Sequence, residues 1–368
     1  MMTSRPDILP QGTTDDAGAA SGGASGGPSR GAMLTERFLR ALYHDLYGRA
    51  PLRSERQGWL GKPLVDLVEA ALVDEASWRY WLDVQLYYFM LIDRFEPVGT
   101  SLDELPERLA SRRISPRDAL HRIALTPSFE LRNPGADTFV TVIMEQFCGI
   151  EVQRSTRELE IGKSAYDGGT GTFLGSKASS QSDVIQIAVT HRDAARHFVS
   201  REYERLFRTR CDRKQAARWG KEIQKSPNEM FALYRAWFAS PEYAERVERG
   251  APLSNQVWVR SVYVDLGDVI APDEEVEALR GALDSLGDPV PLRSLIVRML
   301  LDAEGTRSPR GPEIGEPGPW IDATFDRLLG RQPTDMERTQ FLKVCEDGPD
   351  GPELVLYTLL TSPEYQIA

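Results

Sequence analysis

The chain has 368 residues, 41% of them hydrophobic, with 44 Lys and Arg against 55 Asp and Glu, for a net charge of −11. That acidic balance excludes a general nucleic-acid binder, which needs a basic face to meet phosphates. The longest unbroken apolar run, Leu86 to Ile92, is far short of the roughly 20 residues a membrane-spanning helix needs, so no membrane insertion is expected.

Residues 1–33 are rich in Gly, Ala, Ser and Asp and hold no apolar core of signal-peptide length. They bury too little to offset their ordering entropy and read as a disordered tail. The three cysteines, Cys148, Cys211 and Cys345, are far apart and odd in number. With no export signal, a reducing cytoplasm is the expected compartment. The absence of C-x-x-C and C-x-x-C-H removes a thioredoxin-type motif, a Cys-rich zinc site and covalently attached haem.

Self-similarity organises the rest. Phe38-Leu39, Tyr43, Leu46, Arg49, Pro51, Glu55 and Trp59 recur as Trp320-Ile321, Phe325, Leu328, Arg331, Pro333, Glu337 and Phe341. Weaker copies begin at Phe198-Val199 and Trp258-Val259. A second half follows, clearest at Leu233–Tyr243 and Leu356–Tyr365, each ending in Ser-Pro-Glu-Tyr. Apolar residues three and four apart mark one face of a helix. Gly48 and Gly330 stand where a left-handed C-cap is needed. Thr334 to Glu337 has capping-box spacing, and Ser-Pro-Glu opens a further helix. Each unit is expected to be two longer helices and a short one, with copies near 38–78, 198–243, 258–304 and 320–365. Arg49 and Arg331 read as turn arginines that bond helix-end carbonyls or the nearby Glu55 and Glu337.

Two stretches fall outside the repeat. Trp78 to Phe95 is apolar nearly all round and reads as a central buried helix. Residues 131–197 form an insert. In it Asp137 to Phe147 reads as a buried helix ending at Cys148-Gly149. Tyr166-Asp167 then leads into a glycine-rich segment reaching Gly175, a flexible or hairpin-like surface loop. Gly168-Gly-Thr-Gly171 matches neither a P-loop nor a dinucleotide fingerprint, so no cofactor is expected. Ser182-Asp183 reads as the cap of a helix over Val184–Val189. His191, Asp193 and His197 follow. His191 and His197 are six apart, not the four that share a helix face, so a metal would need the chain to turn and a third ligand such as Asp167. Asp193 reads as the cap of the helix carrying His197. Cys148 beside either histidine is a conceivable nucleophile pair. The weak catalytic candidates are thus His191, Asp193, His197, Tyr166, Asp167 and Cys148. The weak metal candidates are His191, His197 and Asp167.

Phe38 to Pro51 resembles the opening motif of an uncharacterised family abundant in planctomycetes and often found beside cytochrome c modules. Tyr166 to Gly175, Asp183, His191 to Phe207 and Leu233 to Tyr243 are similar to a second such bacterial family, of planctomycete and myxobacterial type. The Arg-x-Pro-x-x-x-Glu and Ser-Pro-Glu-Tyr pair resembles the helical repeat of phycobilisome linkers and bacterial surface repeat proteins. These resemblances imply a helical fold and carry over no catalytic residues. The chain departs from the first two families in lacking an export signal and a haem motif, which argues against an exported electron-transfer role.

The expected fold is mostly α: about four short helical repeats packed around a central apolar helix, with one irregular Gly-rich insert. The expected organisation is a tail at 1–33, a main helical domain at 34–250 and a C-terminal repeat module at 251–368. The leading functional expectation is a non-catalytic scaffold or adaptor with a protein or peptide partner, with homo-oligomerisation left open. The alternative is an enzyme, or an accessory protein of a biosynthetic pathway, with a site at Tyr166–Gly175 and His191, Asp193 and His197.

Overall fold

The computed structural model describes residues 33–91, 102–303 and 309–367. The tail expected at 1–33 lies outside them except for Met33, whose backbone bridges Pro63. The described residues are mostly α, 20 α-helices and one two-stranded hairpin.

The first copy holds α1 (Glu36–Tyr47), α2 (Arg53–Trp59) and α3 (Leu64–Ala71), running on into α4 (Glu75–Met90). Before the insert come α5 (Leu105–Ala110), α6 (Pro116–Ala124) and α7 (Pro127–Arg132), and the insert supplies α8 (Gly135–Val142), α9 (Thr156–Tyr166) and α10 (Gln181–Thr190). The second copy is α11 (Arg192–Phe207), α12 (Arg213–Lys225) and α13 (Glu229–Phe238), with a short α14 (Pro241–Arg249). The third is α15 (Asn255–Gly267), α16 (Asp273–Asp284) and α17 (Val290–Asp302). The fourth is α18 (Pro317–Leu329), α19 (Asp335–Glu346) and α20 (Gly351–Leu360). Each copy is therefore three helices rather than two and a short one. The segment before Ser-Pro-Glu is long enough, and apolar enough on one face, to be a helix of its own.

The first helix of every copy stops the same way. Gly48, Arg208, Asp268 and Gly330 all take left-handed backbone, with φ of 65°, 58°, 54° and 64°. That conformation turns the chain and lets the cap N–H meet a carbonyl four residues back, as in Gly330 to Asp326 at 2.8 Å. Glycine adopts it freely, whereas Arg208 and Asp268 hold it at a cost of about 1 kcal/mol. Past the cap, Arg49 clamps Glu55 with two bonds of 2.7 Å, and Arg331 clamps Glu337 at 2.9 and 2.8 Å. Each arginine also donates to a turn carbonyl, Ala50 or Gln332.

The copies pair, first with second and third with fourth. Asp45 on α1 accepts from the Tyr243 hydroxyl at 2.7 Å, and its carbonyl accepts from Arg205 at 3.3 Å. Asp265 on α15 accepts from the Tyr365 hydroxyl at 2.7 Å, and its carbonyl accepts from Arg327 at 2.9 Å. Both tyrosines close a Ser-Pro-Glu-Tyr turn, in which Ser240 and Ser362 accept from their N–H groups at 3.2 Å. Each aspartate is completed by a buried arginine: Arg246 at 3.1 Å from Asp45, and Arg40 at 2.8 Å from Asp265. Arg40 belongs to the first copy, so this ion pair also ties the two pairs together.

The buried apolar residues form two clusters, one drawn from Leu34 to Val247 and one from Leu253 to Tyr365. The helix expected over Trp78–Phe95 is α4, which ends at Leu91 in left-handed backbone; residues 92–95 lie outside the described residues. Trp78, Trp81 and Phe89 sit in the first cluster. On another face, Tyr80 packs against the second cluster, Asp83 meets Arg260 at 3.4 Å and Tyr87 lies under Arg280. So α4 lies between the two pairs.

Candidate functional site

The glycine-rich segment of the insert is a hairpin. β1 (Gly171–Phe173) pairs antiparallel with β2 (Ser176–Ala178) across Leu174-Gly175, both with positive φ, the mirror-image turn that matches strand twist. Phe173 and Ala178 are fully buried, so the hairpin is anchored to the core. Tyr166, at the end of α9, donates its hydroxyl to Glu130 at 3.0 Å. Asp167 follows as the residue ending that helix, its N–H bonded to Lys163. The cap of α10 is Ser180, two residues before the expected Ser182-Asp183. Asp183 instead folds back onto the N–H and hydroxyl of Ser179, which hold its carboxyl below the usual range.

The histidines do structural work at the start of α11. His191, not Asp193, is the cap: its Nδ1 accepts from the Asp193 N–H at 3.3 Å. An unprotonated Nδ1 is required for that bond, and partial burial lowers the His191 pKa accordingly. His197 lies under Gly149, where an added Cβ would fall 2.6 Å from its Nδ1. Its Nε2 is 3.4 Å from the Tyr88 hydroxyl. Burial, then the Arg201 charge, push its pKa down to about 4. Cys148 is buried, with its thiol toward the Ala188 carbonyl at 3.6 Å. Burial pushes that thiol up to about 12, so it is not a thiolate near neutrality.

The fold therefore brings His191 and His197 to the wall of one small apolar cavity, also lined by Gln146, Phe147 and Arg201. Its volume is about 30 Å³, room for a water molecule. Arg201 stacks on Tyr88 and Phe89 and donates to Gln85. Its Nε and Nη1 are buried with no hydrogen-bond partner. Tyr166 and Asp167 do not line this cavity. Among the described residues, no group of three or more His, Cys, Asp and Glu side chains is placed to hold a metal ion.

A larger feature lies where sequence reading named no site. In the first pair, α4 docks across α11 and α13. Trp81 donates to the Tyr234 hydroxyl at 2.9 Å, and Tyr234 donates to Glu202 at 2.9 Å. Gln85 and Arg205 also reach Glu202, at 3.1 and 3.0 Å. Burial opposes the Glu202 charge, but Arg205 and Arg201 hold its pKa below the usual carboxylate value. Only about 20 Å³ remains beneath Trp78 and Trp81.

In the second pair, the residues matching Arg201, Glu202 and Tyr234 are Ala323, Thr324 and Leu356, and no described helix follows α17 to cover them. A cavity of about 720 Å³ results, walled by these three, by Trp320 and Leu266, and by Arg327. Arg53 and Arg56 of α2 close its far side. One signal could have revealed the pairing. A single repeat position reads Asp45, Arg205, Asp265, Arg327, alternating acid and base from copy to copy.

No family model, curated protein or solved structure matches the chain. The resemblances read from its motifs rest on those motifs alone. Among the described residues, no helix is long and apolar enough to cross a membrane.

Proposed function

We propose that the protein is a non-catalytic helical scaffold or adaptor that docks a protein or peptide partner. The observation that carries this reading is the employment of the candidate chemical groups. His191 caps a helix, His197 packs under Gly149, the Cys148 thiol is buried and Asp167 ends a helix. The second pair of copies adds a surface for docking. On α17, Leu295 and Met299 are 65% and 51% exposed one turn apart, and Leu354 of the neighbouring α20 is 52% exposed. Arg298 of α17 and Glu353 of α20 pair at 2.7 Å beside them. The inner face of α3 (Leu67, Val68, Ala71, Leu72) is buried in the pattern of Ile296, Val297, Leu300 and Leu301 of α17. In that register α3 carries Asp66 and Ala70 where α17 carries Leu295 and Met299. Adjacent exposed apolar side chains of this kind mark interaction surfaces. The three unpaired cysteines fit a cytoplasmic setting.

The test is quantitative affinity capture from the native host with the wild-type chain and a Leu295→Glu/Met299→Glu variant. The reading expects unchanged circular dichroism and thermal midpoint with loss of a stoichiometric partner. An unchanged partner set in a folded variant contradicts it.

A further inference from the structure

The two pairs of copies are built alike, so the first serves as an internal template for the second. In the first pair, α4 lays Trp78 and Trp81 beside Leu46, and Glu202 supplies a carboxylate to Arg205. In the second pair, Leu266 matches Leu46 and Arg327 matches Arg205, but the positions of the indoles and of the carboxylate are vacated. What remains is about 720 Å³, within the roughly 300–1,000 Å³ of small-molecule sites.

We propose that this cavity binds a small organic carboxylate with an aromatic or bulky apolar body. The carboxylate would take the place held in the first pair by Glu202, against Arg327. The apolar body would take the place of the α4 tryptophans, against Trp320, Leu266 and Leu356.

The charge inventory supports an acid. Arg327 meets Asp265 at 3.3 Å, but Asp265 is already bound by Arg40 at 2.8 Å and by the Tyr365 hydroxyl at 2.7 Å. Thr324 offers Arg327 no charge, and its hydroxyl is turned back to the Trp320 carbonyl at 2.7 Å. Burial opposes the charge on both matching arginines. Glu202 reverses that for Arg205, whose pKa is raised, whereas Arg327 is left below the usual guanidinium value. On the opposite wall Arg56 is matched by Glu36 at 3.3 Å. The remaining acids of the wall meet backbone amides, Asp268 that of Arg53 at 2.6 Å and Glu313 that of Arg310 at 3.3 Å. A half-buried arginine that bonds only through Nη1 is suited to a bidentate carboxylate at its other nitrogens. This inference goes beyond the scaffold reading and does not rest on it.

The test is isothermal titration of the full chain with 3-indolepropionate and, separately, with its neutral amide. The proposal expects the acid to bind with a submillimolar Kd and the amide at least about tenfold more weakly, the loss of a charge-assisted pair. Two variants read the site. Thr324→Glu restores the carboxylate of the first pair, and Ala323→Trp fills the space; each should abolish binding and keep or raise the thermal midpoint. No binding of the acid at millimolar concentration overturns the proposal. So does equal binding of acid and amide, or binding that survives both variants in folded protein. Binding of a synthetic α4 peptide, Asp74 to Met90, with no binding of the acid, would overturn it in favour of a protein occupant.

Discussion

The first and second pairs of copies share a frame and differ in what fills it. Both set an aspartate of one copy against a tyrosine and an arginine of the next, and both close with a serine-capped turn. The first pair then receives α4, whose Trp81 indole and Gln85 complete a buried polar network around Glu202 and Tyr234. The second receives no such helix among the described residues and keeps a large polar-walled cavity. The lesson is that a repeated frame can carry stability in one half and leave the other half open for binding. The substitutions that mark the change, Arg201 to Ala323, Glu202 to Thr324 and Tyr234 to Leu356, remove both bulk and a compensating charge.

The likeness of the frames can be broken most strongly at the aspartates. Asp45→Asn and Asp265→Asn each leave buried arginine without its counter-ion, and each should lower the unfolding free energy by about 3–5 kcal/mol. Urea denaturation followed by circular dichroism measures both. A large loss for one and none for the other would show that the two networks are not equivalent.

Acid sharpens the difference between the halves. All four histidines, His44, His121, His191 and His197, belong to the first 200 residues. His44 is held well below its usual pKa by burial, and His197 is brought to about 4. These groups bind protons more readily when unfolded, so stability is full above pH 6.5 and falls as pH drops toward 4. For His197 alone the loss approaches about 3 kcal/mol across that window. Hydrogen exchange at pH 5 should show α11 and α4 opening before α15 and α18. A His197→Asn variant should flatten the pH dependence in the first pair and leave the second unchanged.

The smallest effect concerns the shared helix ends. Arg208→Gly removes a side chain from left-handed backbone and should stabilise by about 0.5–1 kcal/mol. Gly48→Ala at the matching position should destabilise, because an added Cβ would fall 2.3 Å from the Tyr80 ring. Thermal unfolding reads both, and equal signs would contradict the packing described for α4.

Much of the frame was legible because repeats write local rules into the chain. The spacing of Phe38, Tyr43 and Leu46, the cap at Gly48 and the Arg49–Glu55 clamp are all decided within about 20 residues of sequence. The glycine-rich segment reads from sequence only as a flexible or hairpin-like surface loop, because its anchoring through buried Phe173 and Ala178 depends on the rest of the fold. The sites were less legible. Whether His191 faces a ligand or caps its own helix depends on one backbone turn, and a histidine at a cap has no strong sequence mark. The cavity depends on a covering helix present after α3 and, among the described residues, absent after α17, and on which copies pair. Only the alternation at Asp45, Arg205, Asp265 and Arg327 carries that information in the sequence.

The most direct measurement compares two matching leucines. Leu46 lies buried beneath the α4 tryptophans, whereas Leu266 lines the open cavity. Leu46→Cys and Leu266→Cys chains would be labelled with a small thiol reagent under native conditions, with rates read at each site by peptide mass spectrometry. The account predicts labelling at position 266 at least about 100-fold faster, since position 46 reacts only when α4 opens. Equal rates would contradict the claim that one half of this duplicated frame is filled and the other open.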